Sequence, residues 1–142
     1  MKRIMHGALG VLRSIIGDGI LPDVIVTDRE LSLMKAISTV FPGATHLLCK
    51  WHINRNVLAR CKNLFETKEK WDMFIMSWNM LVSSSLEEEF GEQLCKLNQE
   101  FSTYPGALNY VKGTWLDADK ERFVSAWTDK CIHFEHVLFN DY

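Results

Sequence analysis

The sequence is short of the features that would place it in several broad classes. No apolar run approaches the roughly 20 residues a membrane-spanning helix needs. The first residues do not read as a secretory leader: Lys2 and Arg3 are followed by His6, Arg13 and several glycines, not by an apolar stretch and a small-residue cleavage site. There is no Cys-x-x-Cys pair. The four cysteines, Cys49, Cys61, Cys95 and Cys131, are widely spread and fit free thiols in a reducing compartment better than a disulfide framework. Glycine-rich phosphate loops, nucleophile elbows and His-Glu-x-x-His are absent, as are repeats and low-complexity tracts. Proline is scarce. Its three occurrences, Pro22, Pro42 and Pro105, each fall at a predicted element boundary. Acid is missing locally: from Leu31 to Phe65 there is no Asp or Glu, while Lys35, Lys50, Arg55, Arg60 and Lys62 are present. The net charge of −2 therefore hides an asymmetry, +5 over residues 1–65 and −7 over 66–142. A basic face of this kind suits phosphate. It is equally what a solvated helix face balanced by an acidic half would show.

What is present is enough for one domain, or for a piece of a larger protein, at 142 residues and 47% apolar content. The organising stretch is Pro22-Asp-Val-Ile-Val-Thr-Asp-Arg-Glu30. Val24, Ile25 and Val26 are β-branched and uninterrupted, as in a short strand covered on both faces. Thr27 and Glu30 have capping-box spacing, which predicts a helix starting at Asp28 and running to Val40, with Leu31, Met34, Ile37 and Phe41 inward. Asp28 then sits where a strand ends and a helix begins. Ligands of open α/β sheets collect at that edge, and a carboxylate there can hold Mg²⁺ through oxygen. It can also be an ordinary first-turn carboxylate stabilised by the helix dipole.

An amphipathic helix is predicted over residues 2–16, ended by Gly17, Gly19 and Pro22. Pro42-Gly43 closes the second helix, and Ala44 to Cys49 reads as a second short strand. A basic helix follows from Lys50 to Phe65, with Ile53, Val57, Cys61 and Leu64 inward and Leu58 and Phe65 widening the stripe. Beyond Lys68 the strand signal disappears. Helices are predicted from Trp71 to Val82, from a Ser85–Glu88 capping box to Thr103, from Pro105 to Val111 with Gly113 ending it, and from Asp119 to Lys130. Residues 132–138 could be extended. The fold class is thus α/β over 1–66, all-helical over 67–131, with residues 132–142 returning to the core. Two short parallel strands do not make a stable sheet, so further strands are expected, most simply from before residue 1.

Among candidate chemical groups, Cys49 and His52 are three apart at a helix start and could share a metal. A structural zinc site needs four ligands, which would have to come from Cys131 and His133 or His136. Buried or hydrogen-bonded side chains packing the helix start are the plainer reading. Cys/His nucleophilic catalysis lacks an orienting third residue. His133, Glu135 and His136 alternate on what reads as an extended terminus, and Glu87 to Glu89 read as first-turn helix acid.

The stretch from Pro22 to Glu30, followed by Leu33 to Ala36, Phe41-Pro42, His46, Cys49-Lys50-Trp51-His52 and Asn56, resembles the Mutator-like element (MULE) transposases and the far-red-impaired-response-type plant regulators derived from them. The resemblance is strong to about residue 66 and weaker through the helical part to Trp127 and Lys130-Cys131. It implies a partial RNase H-like core of two short parallel strands, followed by an all-helical insertion. It implies a nuclear protein acting on DNA at transposon ends, with an Asp, Asp, Glu triad holding two Mg²⁺ ions for strand cleavage and transfer. Asp28 would be the second Asp, and Cys49 and His52 the family's Cys-x-x-His pair. Lys50, Arg55, Arg60 and Lys62 would face the DNA backbone, and the protein could act as a homo-oligomer. The first Asp of the pattern is expected upstream of residue 1 and the last Glu beyond Tyr142, Glu135 falling too early. A chain with one of three carboxylates is expected to be inactive alone. The alternative is a domesticated, transposase-derived DNA-associated regulator or interaction module without catalysis; a helical scaffold with no nucleic-acid role is a third option.

Overall fold

A computed structural model describes residues 10, 14, 21–131 and 137–139, the last three by backbone. It divides into two compact units, residues 1–49 with 131–142, and residues 50–130. The predicted helix over 2–16 lies outside the described residues, except that Gly10 and Ser14 are helical.

The first unit is a parallel sheet with one covering helix. Strand β1 spans Val24–Thr27, helix α1 Leu31–Val40 and strand β2 Thr45–Leu48. The β1–α1–β2 segment is a parallel crossover, and the strands pair in register from Val24 with Thr45 to Thr27 with Leu48. Thr45 N–H donates to the Asp23 carbonyl at 2.8 Å, and Cys49 N–H to the Thr27 carbonyl at 2.8 Å, extending the ladder past both ends. Ile25, Leu33, Ile37, Val40 and Phe41 form the core on the helix side, with Leu21 and Ala44 packed against it.

The third strand comes from the carboxyl-terminal stretch. Strand β3, Val137–Phe139, pairs parallel to β1, giving the order β2-β1-β3. The β-branched strand β1 is thus central, which accords with burial on both of its faces: Val24 and Ile25 are each 1% exposed. One strand beyond the first two is thus supplied from the carboxyl-terminal side. This is a mixed α/β unit; three short parallel strands do not by themselves make an RNase H-like core.

Two local expectations are corrected. No capping box forms at Thr27. The helix starts three residues later, capped at Glu30 without a side-chain bond, because Thr27 is still in the ladder and its hydroxyl is used elsewhere. The buried stripe of α1 shifts accordingly to Leu33, Ala36, Ile37 and Val40, and Leu31 at the first turn is exposed.

The second unit is all-helical. Helix α2 spans Lys50–Cys61, a 3₁₀ turn Lys62–Leu64, α3 Lys68–Val82, α4 Glu87–Glu100 and α5 Pro105–Asn109. A π-helical segment Tyr110–Leu116 follows, then α6 Asp117–Asp119, a 3₁₀ turn Lys120–Arg122 and α7 Ser125–Thr128. Thr67 caps α3 by accepting the Lys70 N–H at 3.2 Å. At α4 the expected Ser85–Glu88 box is displaced by one: Glu89 Oε2 accepts the Ser85 N–H. Gly113 does not end a helix. The wider π turn carries the chain through it, anchored by buried Val111, Trp115 and Leu116. The single helix expected over 119–130 is broken into the 3₁₀ turn and α7, with Phe123 and Val124 between them fully buried. Of the residues expected to widen the α2 stripe, Phe65 is buried, whereas Leu58 and the stripe's own Leu64 are exposed.

The core is aromatic. Phe65 contacts Trp71, Phe74, Phe101 and Tyr104, the last stacked at 4.5 Å. Tyr104 donates its hydroxyl to Glu66 at 2.5 Å, which with Lys70 holds that carboxyl below its usual range. Trp78 is fully buried, with Phe123 at 6.2 Å.

Cys61 is wholly buried, and burial pushes its thiol up from 9.0 to about 11, against the pull of Arg60. The folded state therefore holds this proton more tightly than the unfolded chain does. The contribution is fully present below pH 9 and is lost as pH rises toward 11, by about 2–3 kcal/mol at ~1.4 kcal/mol per pKa unit. Urea unfolding at pH 8 and pH 11 will show this loss, and Cys61→Ala will remove that part of the pH dependence. At pH 8 a thiol reagent will modify exposed Cys95 and spare Cys61.

Candidate functional site

The carboxyl end of β1 is held by a small polar network. Thr27 is 1% exposed, and its hydroxyl donates to the Asp28 carbonyl at 2.8 Å. That uses its single proton, so His46 Nε2, 2.6 Å from the same oxygen, is the donor there. The parallel register makes this contact possible. His46 is opposite Ile25, and Thr27 is two residues further along β1, on the same face. The Asp28 carbonyl also accepts the Glu30 N–H at 3.1 Å, and the Glu30 carbonyl accepts Met34 N–H at 2.9 Å to begin α1.

Asp28 is thereby fixed in the connection between β1 and α1, outside the first helical turn where the capping-box reading put it. It is half-buried. Its Oδ1 accepts the Arg29 N–H at 2.7 Å, and its other oxygen has no partner among the described residues. A carboxylate at the carboxyl edge of a parallel strand, with one oxygen uncommitted, has the chemistry of a ligand for a hard cation. One carboxylate supplies only part of such a site. Among the described residues no three His, Cys, Asp or Glu side chains are grouped to hold a metal ion. Asp28 thus fits one ligand position for Mg²⁺, and the remaining ligands would come from elsewhere. The small pocket lined by Leu21, Pro22, Asp23 and Phe41 to Ala44 is at the opposite, amino-terminal ends of β1 and β2.

The Cys-x-x-His pair divides between the units. Cys49 is a half-buried free thiol directly after β2. His52, in the first turn of α2, is 6% exposed, and neither ring nitrogen has a hydrogen-bond partner among the described residues. Its ring meets Trp51 edge-on at 5.0 Å. Cys131 is half-buried, while His133, Glu135 and His136 lie outside the described residues.

The four predicted DNA-facing cations have different surroundings. Lys50 is tied to a neighbouring side chain: its ammonium donates to Ser125 at 2.7 Å. Burial lowers its pKa, which the nearby Asp129 charge partly restores. Arg55 lies over the Trp51 ring at 4.9 Å, and Arg60 over Tyr110 at 5.7 Å. Lys62 is exposed in the 3₁₀ turn. All four residues are exposed; Lys50 differs in that its ammonium is already hydrogen-bonded to Ser125, which leaves Arg55, Arg60 and Lys62 as the cations available to a phosphate. Sequence reasoning missed His46 as the residue that orients Thr27. Only the strand register reveals it.

Comparison with known proteins gives these positions a context. Residues 5–56 match the family model of the MULE transposase domain, which takes in β1, α1, β2 and the start of α2, and with them Asp28, Cys49 and His52. The chain is 25% identical over 107 residues to Protein FAR-RED IMPAIRED RESPONSE 1 of Arabidopsis thaliana, covering 75% of this chain and 12% of that protein. It is 41% identical over 44 residues to Protein FAR1-RELATED SEQUENCE 5 of the same plant, covering 31% of this chain and 6% of that protein. The resemblance read from the sequence is borne out. The chain spans about an eighth or less of the length of these curated relatives.

Proposed function

We propose, with the MULE transposase match over residues 5–56 as premise, that this chain is the part of a transposase-derived DNA-processing protein that presents one metal-binding carboxylate, Asp28, and one DNA-facing helix, α2. The observation that carries the reading is the position of Asp28, which lies at the carboxyl edge of the central parallel strand and inside the matched segment. In the longer protein Asp28 would bind Mg²⁺ together with two further carboxylates from outside the described residues. The ions would supply activation of the attacking oxygen and stabilisation of the leaving one. The residues of this chain have simpler tasks. Thr27 and His46 fix the backbone of Asp28, the Arg29 amide orients its carboxylate, and Arg55, Arg60 and Lys62 neutralise backbone phosphates. The protein works on DNA in the nucleus and forms homo-oligomers there, as transposon-end pairing would require. With a single carboxylate the chain binds DNA without cutting it.

Salt dependence tests the DNA reading. Three phosphate contacts release counterions, so the logarithm of the binding constant for duplex DNA should fall against the logarithm of salt with a slope of about −3. Arg55→Ala, Arg60→Ala and Lys62→Ala should each reduce that slope by about one, and Lys50→Ala should not, because Lys50 is committed to Ser125. Absence of salt-dependent binding, or a slope insensitive to all three substitutions, would remove the DNA-facing role of α2. The non-catalytic regulator and the enzyme differ in the Asp28 results taken up in the Discussion.

A further inference from the structure

Trp51 stands apart from the other tryptophans. Trp71, Trp78 and Trp115 are buried and Trp127 is half-buried, while Trp51 is 61% exposed. Leaving an indole in water forgoes the burial that aromatic side chains normally supply, so its surroundings are informative. Arg55, one turn along α2, lays its guanidinium over the indole at 4.9 Å, which holds the ring and puts a positive charge beside it. Leu58, 43% exposed, takes the next position of the same helical face by its i+7 spacing from Trp51. Lys62 continues the spacing at i+11, in the 3₁₀ turn. No acidic residue occurs between Leu31 and Phe65.

We infer that Trp51 and Arg55 form a stacking platform for an unpaired nucleobase, so that α2 grips single-stranded DNA in preference to duplex. This rests on the DNA reading above and names the form of DNA recognised. Cations alone suffice to hold a duplex, whose bases are stacked on one another and present only edges and phosphates. An exposed indole backed by a guanidinium offers a face on which a free base can stack, and the surrounding charge favours a polyanion over an apolar protein surface. Arg55 serves twice, bracing the ring and neutralising the adjoining phosphate, and Lys62 takes a phosphate further along the strand.

The test uses the full chain with an oligothymidine and a mixed-sequence duplex of equal length, at one salt concentration. Tryptophan emission should be quenched by the single strand, and the quench should be lost in Trp51→Ala. Trp51→Ala should weaken single-strand binding by about 5- to 150-fold, the usual worth of one stacked base, and alter duplex binding less than about twofold. Trp51→Phe should recover part of the loss. Exposed as it is, the residue can be replaced with little effect on the helical circular dichroism, which is recorded for each variant. If Trp51→Ala leaves single-strand affinity unchanged, or weakens both forms equally, the platform is wrong while the DNA reading survives. Binding to neither form overturns both. Protection of Trp51 without DNA, at raised protein concentration, would make this face a contact between copies and would also overturn the inference.

Discussion

Replacing Trp78 with Ala will destabilise the helical unit by about 3–5 kcal/mol, the range for truncating a fully buried aromatic. Trp78 has no exposed surface and packs near Phe123. Its Nε1 donates to Asn54 Oδ1 at 3.1 Å, and Asn54 Nδ2 donates in turn to Asn79 Oδ1 at 2.8 Å. The substitution opens a cavity where α2 and α3 meet and removes the donor that satisfies Asn54. Both effects act together, and a domain of ordinary stability has only about 5–15 kcal/mol to lose. Trp78→Phe will cost less, because a six-membered ring is kept, although the hydrogen bond and part of the buried volume are lost. Trp51→Ala will change stability by no more than about 0.5 kcal/mol, as surface substitutions do. Urea unfolding followed by circular dichroism separates these cases. A loss below about 1 kcal/mol for Trp78→Ala would mean that this indole does not hold the helices together.

Asp28→Asn will reduce Mg²⁺-dependent strand cleavage by the protein of the full reading frame by about a thousandfold or more. Losing a carboxylate from a two-metal site forfeits several kcal/mol of charge stabilisation, at ~1.4 kcal/mol per factor of ten. The substitution is chosen to spare the fold. Asn is isosteric, and its amide oxygen still accepts from the Arg29 N–H now bonded to Asp28 Oδ1. The Thr27, His46 and Glu30 bonds in this connection end on main-chain or Thr27 atoms and do not involve the Asp28 carboxylate. Unfolding curves of the two proteins should therefore overlay, so that lost cleavage reports lost chemistry. Equal cleavage by both would remove Asp28 from the reaction. A full-frame protein that binds DNA and never cuts it, with or without the substitution, would be the non-catalytic regulator.

The parts of this molecule that were readable from its sequence are those fixed locally. Three successive β-branched residues, Val24 to Val26, favour the extended backbone of β1 from their own chemistry. Pro42-Gly43 stops α1, and the aromatic spacing of Trp71, Phe74 and Trp78 marks the inner face of α3. The misread parts depend on partners distant in the chain. Thr27 and Glu30 carry the spacing of a capping box, but pairing with β2 keeps Thr27 extended, and His46 takes its hydroxyl. Strand β3 overlaps the stretch over 132–138 that reads as extended, but its place beside β1 is decided by a pairing across more than 100 residues. Lys50 reads as a solvated cation until Ser125, 75 residues away, is placed against it. The same distinction applies to the site. The position of Asp28 directly after β1 was legible because a strand end is a local event. The network that orients it was not, because parallel register cannot be counted along one strand.

The most direct measurement is Mn²⁺ binding to the full-frame protein, followed by electron paramagnetic resonance, with Mg²⁺ as competitor. If Asp28 is a ligand, Asp28→Asn will weaken the tightest Mg²⁺-displaceable site by about tenfold or more, even changes to the groups that merely support metal ligands costing that much. Identical Mn²⁺ titrations for the two proteins would contradict the account, leaving Asp28 as a carboxylate that merely joins a strand to a helix.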